Sequence, residues 1–154
     1  MPHDLSIVLV TPEIPTNTGS IGRLCLATNS TLHLIYPLGF DISDPRVKRA
    51  GLDYWKHLQI VQHENFEEFL DSLPSGTPTV FFSTKAKASL FEKKFQKGSY
   101  LIFGCETKGL GEELIKKFSK DTFNIPQYDD RVRSLNLANA ASIVVYEAIR
   151  QLGH

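Results

Sequence analysis

The sequence predicts an α/β fold, an open and mainly parallel sheet with helices on both faces. Three observations carry this. Short apolar runs rich in β-branched and aromatic residues alternate with helix-like segments along the whole chain. Several of the runs are apolar almost throughout, as in strands buried on both faces of a parallel sheet. No internal repeat, low-complexity tract or linker interrupts the pattern, so residues 1–154 are expected to form one domain.

In chain order, the expected strands are "LSIVLV" (Leu5–Val10), "TLHLIY" (Thr31–Tyr36), "LQIV" (Leu58–Val61), "TVFFST" (Thr79–Thr84), "YLIFG" (Tyr100–Gly104) and "TFNI" (Thr122–Ile125). The expected helices are 18–29, 45–54, 66–72, 112–118 and 136–152. The last is the clearest. Leu137, Ala140, Ala141, Val144, Val145, Ala148 and Ile149 share one broad face, and Gly153 suits the residue after a helix end. Its alanines leave room for a close neighbour, either the core or a second subunit. Ser134 is expected to cap its start. "LPSGTP" (Leu73–Pro78) is the strongest turn cluster and divides the chain into halves without dividing it into domains.

Composition excludes several classes of protein. Hydrophobic content of 42 % with 22 % charged residues belongs to a globular chain, not a disordered or collagen-like one. No apolar run approaches a membrane span. "MPHDLS" has neither the basic nor the apolar region of a signal peptide, so a cytoplasmic location is expected, with Cys25 and Cys105 as reduced thiols. Seventeen Lys and Arg balance seventeen Asp and Glu, which argues mildly against nucleic acid. The balance is uneven, however. "RVKR" (Arg46–Arg49) is a compact basic cluster, Lys85 and Lys87 form another, and acids gather at 64–71. A neutral total therefore leaves room for a basic face. The five histidines show no metal-ligand spacing with cysteine or acid, so no metal is expected.

Three segments suggest chemistry. "NTGSIGRLCLATN" (Asn17–Asn29) puts Arg23 near a helix start, where the dipole favours an acid, and so hints at an anion site. "GCETKGLG" (Gly104–Gly111) follows a strand and precedes a helix, the position where ligands bind in open α/β sheets. It has P-loop glycine spacing, but Leu110-Gly111 replaces Lys-Ser/Thr, and Leu114 stands where a dinucleotide fingerprint needs its third glycine. It is therefore a glycine-lined loop permitting close backbone approach, or simply a tight strand–helix turn. "IPQYDDRVRSLNLAN" (Ile125–Asn139) leads into the last helix, with Arg131 and Arg133 beside Asp129 and Asp130.

In this order, "PEIPTNTGSIGRLC", "YLIFGCETKGLG" and "IPQYDDRVRSLNLANAASIVVYEAIRQLG" resemble the SPOUT superfamily of knotted methyltransferases. "RAGLDYWK" (Arg49–Lys56) narrows the resemblance to the small tRNA wobble-nucleotide (cytidine/uridine-34) 2′-O-methyltransferases. The resemblance covers nearly the whole chain. It implies a C-terminal deep trefoil knot, a feature topology rules would otherwise make the last expectation. It also implies S-adenosylmethionine as cofactor, tRNA as substrate, and a homodimer whose two subunits complete the active site. Carried across residue by residue, the cofactor pocket is implied at Phe82, Gly104, Ile125 and Ser134. Arg23, Ser134 and Asn136 are the implied catalytic residues. Arg23 would clamp a substrate phosphate and align the 2′-hydroxyl, since a guanidinium that stays charged makes an awkward base. Glu106 is an alternative base. Arg46, Lys48 and Arg49 are expected to meet tRNA phosphates. Other readings are a 2′-O-methyltransferase for a different RNA site, a non-catalytic RNA-binding module of this fold, and a flavodoxin-like small-molecule binder.

Overall fold

A computed structural model describes residues 3–153; Met1, Pro2 and His154, one of the five histidines, lie outside the described residues. The strands are β1 (Ser6–Val10), β2 (Thr31–Ile35), β3 (Ile60–His63), β4 (Thr79–Phe82), β5 (Ala88–Ser89), β6 (Tyr100–Phe103) and β7 (Thr122–Asn124). The α-helices are α1 (Pro15–Ala27), α2 (Pro45–Gly51), α3 (Phe66–Ser72), α4 (Glu112–Lys117) and α5 (Leu137–Leu152). The strands form one sheet in the order β3-β2-β1-β6-β4-β7-β5, and each described pairing is parallel.

Strand alternation divides the core between the two faces. Ile7 and Leu9 point into a layer with Ile21 and Cys25 of α1 and Val144 and Ala148 of α5. Val8 and Val10 point the other way, toward Phe69 of α3 and Leu114 beside Phe118. Helices thus cover both faces, and the central strands β1 and β6 are buried throughout or nearly so.

Several boundaries differ from the sequence expectation. Helix α1 starts at Pro15 rather than residue 18, because a proline at the first helical position loses no hydrogen bond and presets the backbone angle. Strand β3 starts two residues later than Leu58. That residue closes a 3₁₀ turn over 52–57 by donating its N–H to the Trp55 carbonyl oxygen. Strand β5 is an addition to the expected set, since two residues on β7 leave no readable period. The alanine-bearing face of α5 turns into the core, with Ala141 and Ala148 fully buried, while Ile143 and Tyr146 lie exposed on the outside. The 73–78 turn leaves the sheet continuous.

Close packing of α1 depends on two glycines. A Cβ on Gly19 would lie 2.3 Å from the Val47 carbonyl oxygen of α2, and one on Gly22 would lie 2.6 Å from the Trp55 ring. Only backbone hydrogens at these positions allow α2 and the following turn to lie flat on α1.

Candidate active site

The chain runs from β1 to β3 toward one edge of the sheet, then crosses back so that β6 lies between β1 and β4. Ligands bind beyond the strand carboxyl ends at such a reversal. A cavity of about 660 Å³ opens there, within the usual range of about 300–1,000 Å³ for small-molecule sites. Phe82 ends β4, Gly104 follows β6, Ile125 follows β7, and Ser134 and Asn136 precede α5; all five line this cavity. Phe82 and Phe103 stack at 5.1 Å between centroids and form part of its apolar wall. Lys85, Lys108 and Arg133 bring positive charge to it.

The glycine-rich loop is a tight closure. Cys105 and Gly109 exchange two backbone hydrogen bonds, at 3.2 and 3.0 Å, with Gly109 in the left-handed region at φ 65°. A Cβ on Gly104 would lie 2.0 Å from the Gly109 carbonyl carbon and 2.2 Å from the Leu110 nitrogen. The first thing a side chain here meets is therefore the loop itself, before any ligand.

The expected misplaced cation has a different explanation. Arg23 lies in the middle of α1, is exposed, and sits over the Tyr54 ring at 5.5 Å. It is not among the residues lining the cavity. Asn17 does line it, and the six-position step from Asn17 to Arg23 corresponds to about 9 Å of rise and roughly 240° of rotation. The anion at the start of α1 is Glu106. The Ile14 N-cap has no capping side chain and the first turn holds no acid. Instead the Glu106 carboxylate accepts from the Glu13 and Ile14 N–H groups, each at 2.8 Å, and from Asn17 Nδ2 at 3.2 Å. The clasp is reciprocal. The Glu13 carboxylate accepts from the Thr107 N–H at 2.9 Å and hydroxyl at 2.8 Å, and these bonds hold its carboxyl below the usual range.

The clasp continues to the last helix. Asn136 Nδ2 donates to Asn17 Oδ1 at 3.0 Å, while Asn136 Oδ1 accepts from the Asn139 N–H at 3.1 Å. Asn136 is thus the N-cap of α5, not Ser134 as expected. Asn17 thus joins the start of α1 to Glu106, 89 residues along the chain, and to Asn136, 119 residues along it. Sequence reasoning missed Asn17. Its signal was the absence of any acid or capping side chain where α1 begins.

The basic cluster lies on α2, away from the cavity lining. Arg46, Lys48 and Arg49 are all exposed. Arg46 is engaged by Asp44, with Nε and Nη2 at 3.2 and 2.8 Å from its two oxygens. The described residues contain no group of three or more His, Cys, Asp or Glu able to hold a metal ion. None of the described helices is long and apolar enough to cross a membrane.

The profile of the SpoU rRNA Methylase family matches residues 4–146. A tRNA (cytidine(34)-2'-O)-methyltransferase of Yersinia pestis is 46 % identical over 155 aligned residues, covering 97 % of this chain and 95 % of its own. A solved structure concerned with the 2-OH methylation of C/U34 on tRNA superposes with a TM-score of 0.94 at 49 % identity, covering 99 % of this chain and 98 % of its own. An AdoMet-bound rRNA methyltransferase from Sinorhizobium meliloti superposes with a TM-score of 0.87 at 25 % identity, covering all of this chain but 59 % of its own.

Proposed function

The chain belongs to the SpoU methylase family, and from that premise we propose that it methylates the ribose 2′-hydroxyl of the tRNA wobble nucleotide, using S-adenosylmethionine. The observation that carries this is the convergence of Phe82, Gly104, Ile125 and Ser134, distant in sequence, on one cavity at the strand ends. The relatives favour tRNA over rRNA. The tRNA enzyme from Yersinia pestis matches at 46 % identity along 95 % of its own length, whereas the rRNA enzyme from Sinorhizobium meliloti matches at 25 % identity along 59 % of its own.

The cavity fits the cofactor by size and by its mixture of aromatic wall and polar loop. Phe82, Gly104, Ile125 and Ser134 would hold it, largely through backbone N–H and C=O groups of three loops. When bound it supplies an electrophilic methyl group on a sulfonium. The knotted threading implied by the family is part of this reading, since it would bring these loops together.

The protein's own part is positioning and charge. Ser134 and Asn136, at the cavity, orient the ribose by hydrogen bonding. Arg23 clamps a substrate phosphate and aligns the hydroxyl; orientation of this kind lowers barriers by several kcal/mol. Because Arg23 lies outside the cavity of its own chain, we assign it to the cavity of a second copy, which makes the working unit a homodimer. The outward residues Ile143 and Tyr146 of α5 are apolar surface available to that contact. Glu106 carries three hydrogen bonds from the start of α1 and is assigned to positioning, not proton removal. Lys48 and Arg49, with the Asp44-engaged Arg46, would extend the contact to the tRNA backbone.

Calorimetry with S-adenosylhomocysteine and single-turnover methyl transfer to tRNA test the reading together. Arg23→Ala should keep cofactor affinity and lose transfer. Arg23→Lys should recover little, because an ammonium cannot reproduce the planar fork. Near-normal transfer by Arg23→Ala would remove the arginine from the mechanism.

A further inference from the structure

Next to the cofactor cavity lies a second, more open concavity of about 940 Å³, walled by Thr84 and residues 124–133. The two share Thr84, Ile125, Gln127 and Arg133, so an occupant of one lies against a wall of the other. Its charge is balanced: Asp129 and Asp130 oppose Arg131 and Arg133, and Arg131 is already bound by Asp129. A site of this kind offers little to a phosphate.

It offers an aromatic ring instead. Tyr128 is 91 % exposed, the highest exposure among the large hydrophobic residues described, and Val132 nearby is 54 % exposed. The segment that carries them is tied down. Gln127 Nε2 donates to the Val132 carbonyl oxygen at 3.1 Å, and the Arg131 N–H donates to Asp129 Oδ1 at 3.0 Å. A hydrogen-bonded loop therefore holds a bare ring beside the site where a ribose must be presented. Around it, Thr84, Asn124 and Gln127 supply hydroxyl and amide groups of the kind that read base edges.

We propose that Tyr128 is a stacking platform for an unpaired nucleobase of the anticodon loop, seated in this second concavity while the target ribose faces the cofactor. The proposal rests on the methyltransferase reading above. Proteins that read single-stranded RNA loops splay bases out onto aromatic side chains. The ring's face is the recognition element, and the neutral charge balance of the concavity leaves phosphate binding to other surfaces.

Steady-state kinetics on unmodified tRNA, with Tyr128→Ala and Tyr128→Phe, test this. Alanine should raise KM by roughly 5- to 150-fold, the range for loss of one base–aromatic stack, with kcat nearly unchanged. Phenylalanine should behave like the wild type. The salt slope of tRNA binding should stay the same, because every phosphate partner is retained, and S-adenosylhomocysteine affinity should not move. An unchanged KM in Tyr128→Ala, beside an active wild type, would overturn this proposal alone. A phenylalanine variant as poor as alanine would assign the effect to the hydroxyl and overturn it too. A fall in molar mass by light scattering would make Tyr128 a subunit contact and would likewise overturn the stacking role. A wild type that does not methylate tRNA would overturn both this proposal and the reading beneath it.

Discussion

Replacing Glu106 by alanine separates a structural clasp from a catalytic base. The change removes the acceptors of the Glu13 and Ile14 N–H groups and of Asn17 Nδ2. Losing a helix cap costs about 0.5–2 kcal/mol, and a hydrogen bond to a charged group contributes about 1.5–3 kcal/mol. Ile14 is exposed, so water replaces part of the loss, and a net cost of about 2 kcal/mol is expected. For a chain of this size that lowers Tm by about 4–8 °C. Glu106→Gln keeps one acceptor oxygen but turns an amide toward donors, and should recover only part of the loss. Transfer should fall modestly, through looser loops, with the shape of the pH–rate profile retained. Removal of a general base would instead cost about 10²–10⁴ in kcat. Thermal unfolding and single-turnover kinetics on the same preparations decide the matter. An unchanged Tm together with a hundredfold or greater loss in kcat would refute the clasp.

Three further outcomes are expected. Gly104→Ala should cost about 1–3 kcal/mol of stability and weaken S-adenosylhomocysteine binding, because its Cβ meets the Gly109–Leu110 backbone; wild-type affinity by calorimetry would contradict this. Alanine at Lys48 and Arg49 should flatten the salt dependence of tRNA binding by about 0.7–0.9 log units for each phosphate released; an unaltered slope would return the cluster to plain solvated surface. Acid should destabilise the fold through the buried His33–His63 pair, whose ring nitrogens lie 3.0 Å apart. Burial and the facing His63 push His33 down to about 4, and burial lowers His63 as well. The unfolded chain therefore binds more protons below about 6.5, so stability is lost as pH falls from about 6.5 to about 4. A Tm that stays flat between pH 7 and pH 5 would contradict the assignment.

The strands were legible because β1, β4 and β6 are buried on both faces, which leaves apolar runs with no alternation to misread. The five helices followed from the spaces between them. What escaped was non-local. Helix α1 has no acid in its own first turn; its acid is Glu106, 93 residues from Glu13 along the chain. Ser134 reads as a helix cap because the residue type is right, yet Asn136 takes the role since its amide can also reach Asn17. The alanines of α5 could have served either a seam or a core, and only packing against α1 and the sheet decided for the core. Family resemblance brought Phe82, Gly104, Ile125 and Ser134 into one group, and the fold brings them to one cavity. Arg23 shows the limit of a single chain, because it lies outside the cavity that the chain's own loops form.

Single-turnover methyl transfer to unmodified tRNA, with the product mapped by nuclease digestion and mass spectrometry, tests the proposed activity most directly. The expected product carries one methyl group on the ribose of a wobble-position pyrimidine, with the bond on its 3′ side resistant to alkali. A methyl group on a base, or on a ribose elsewhere in the tRNA, would contradict it.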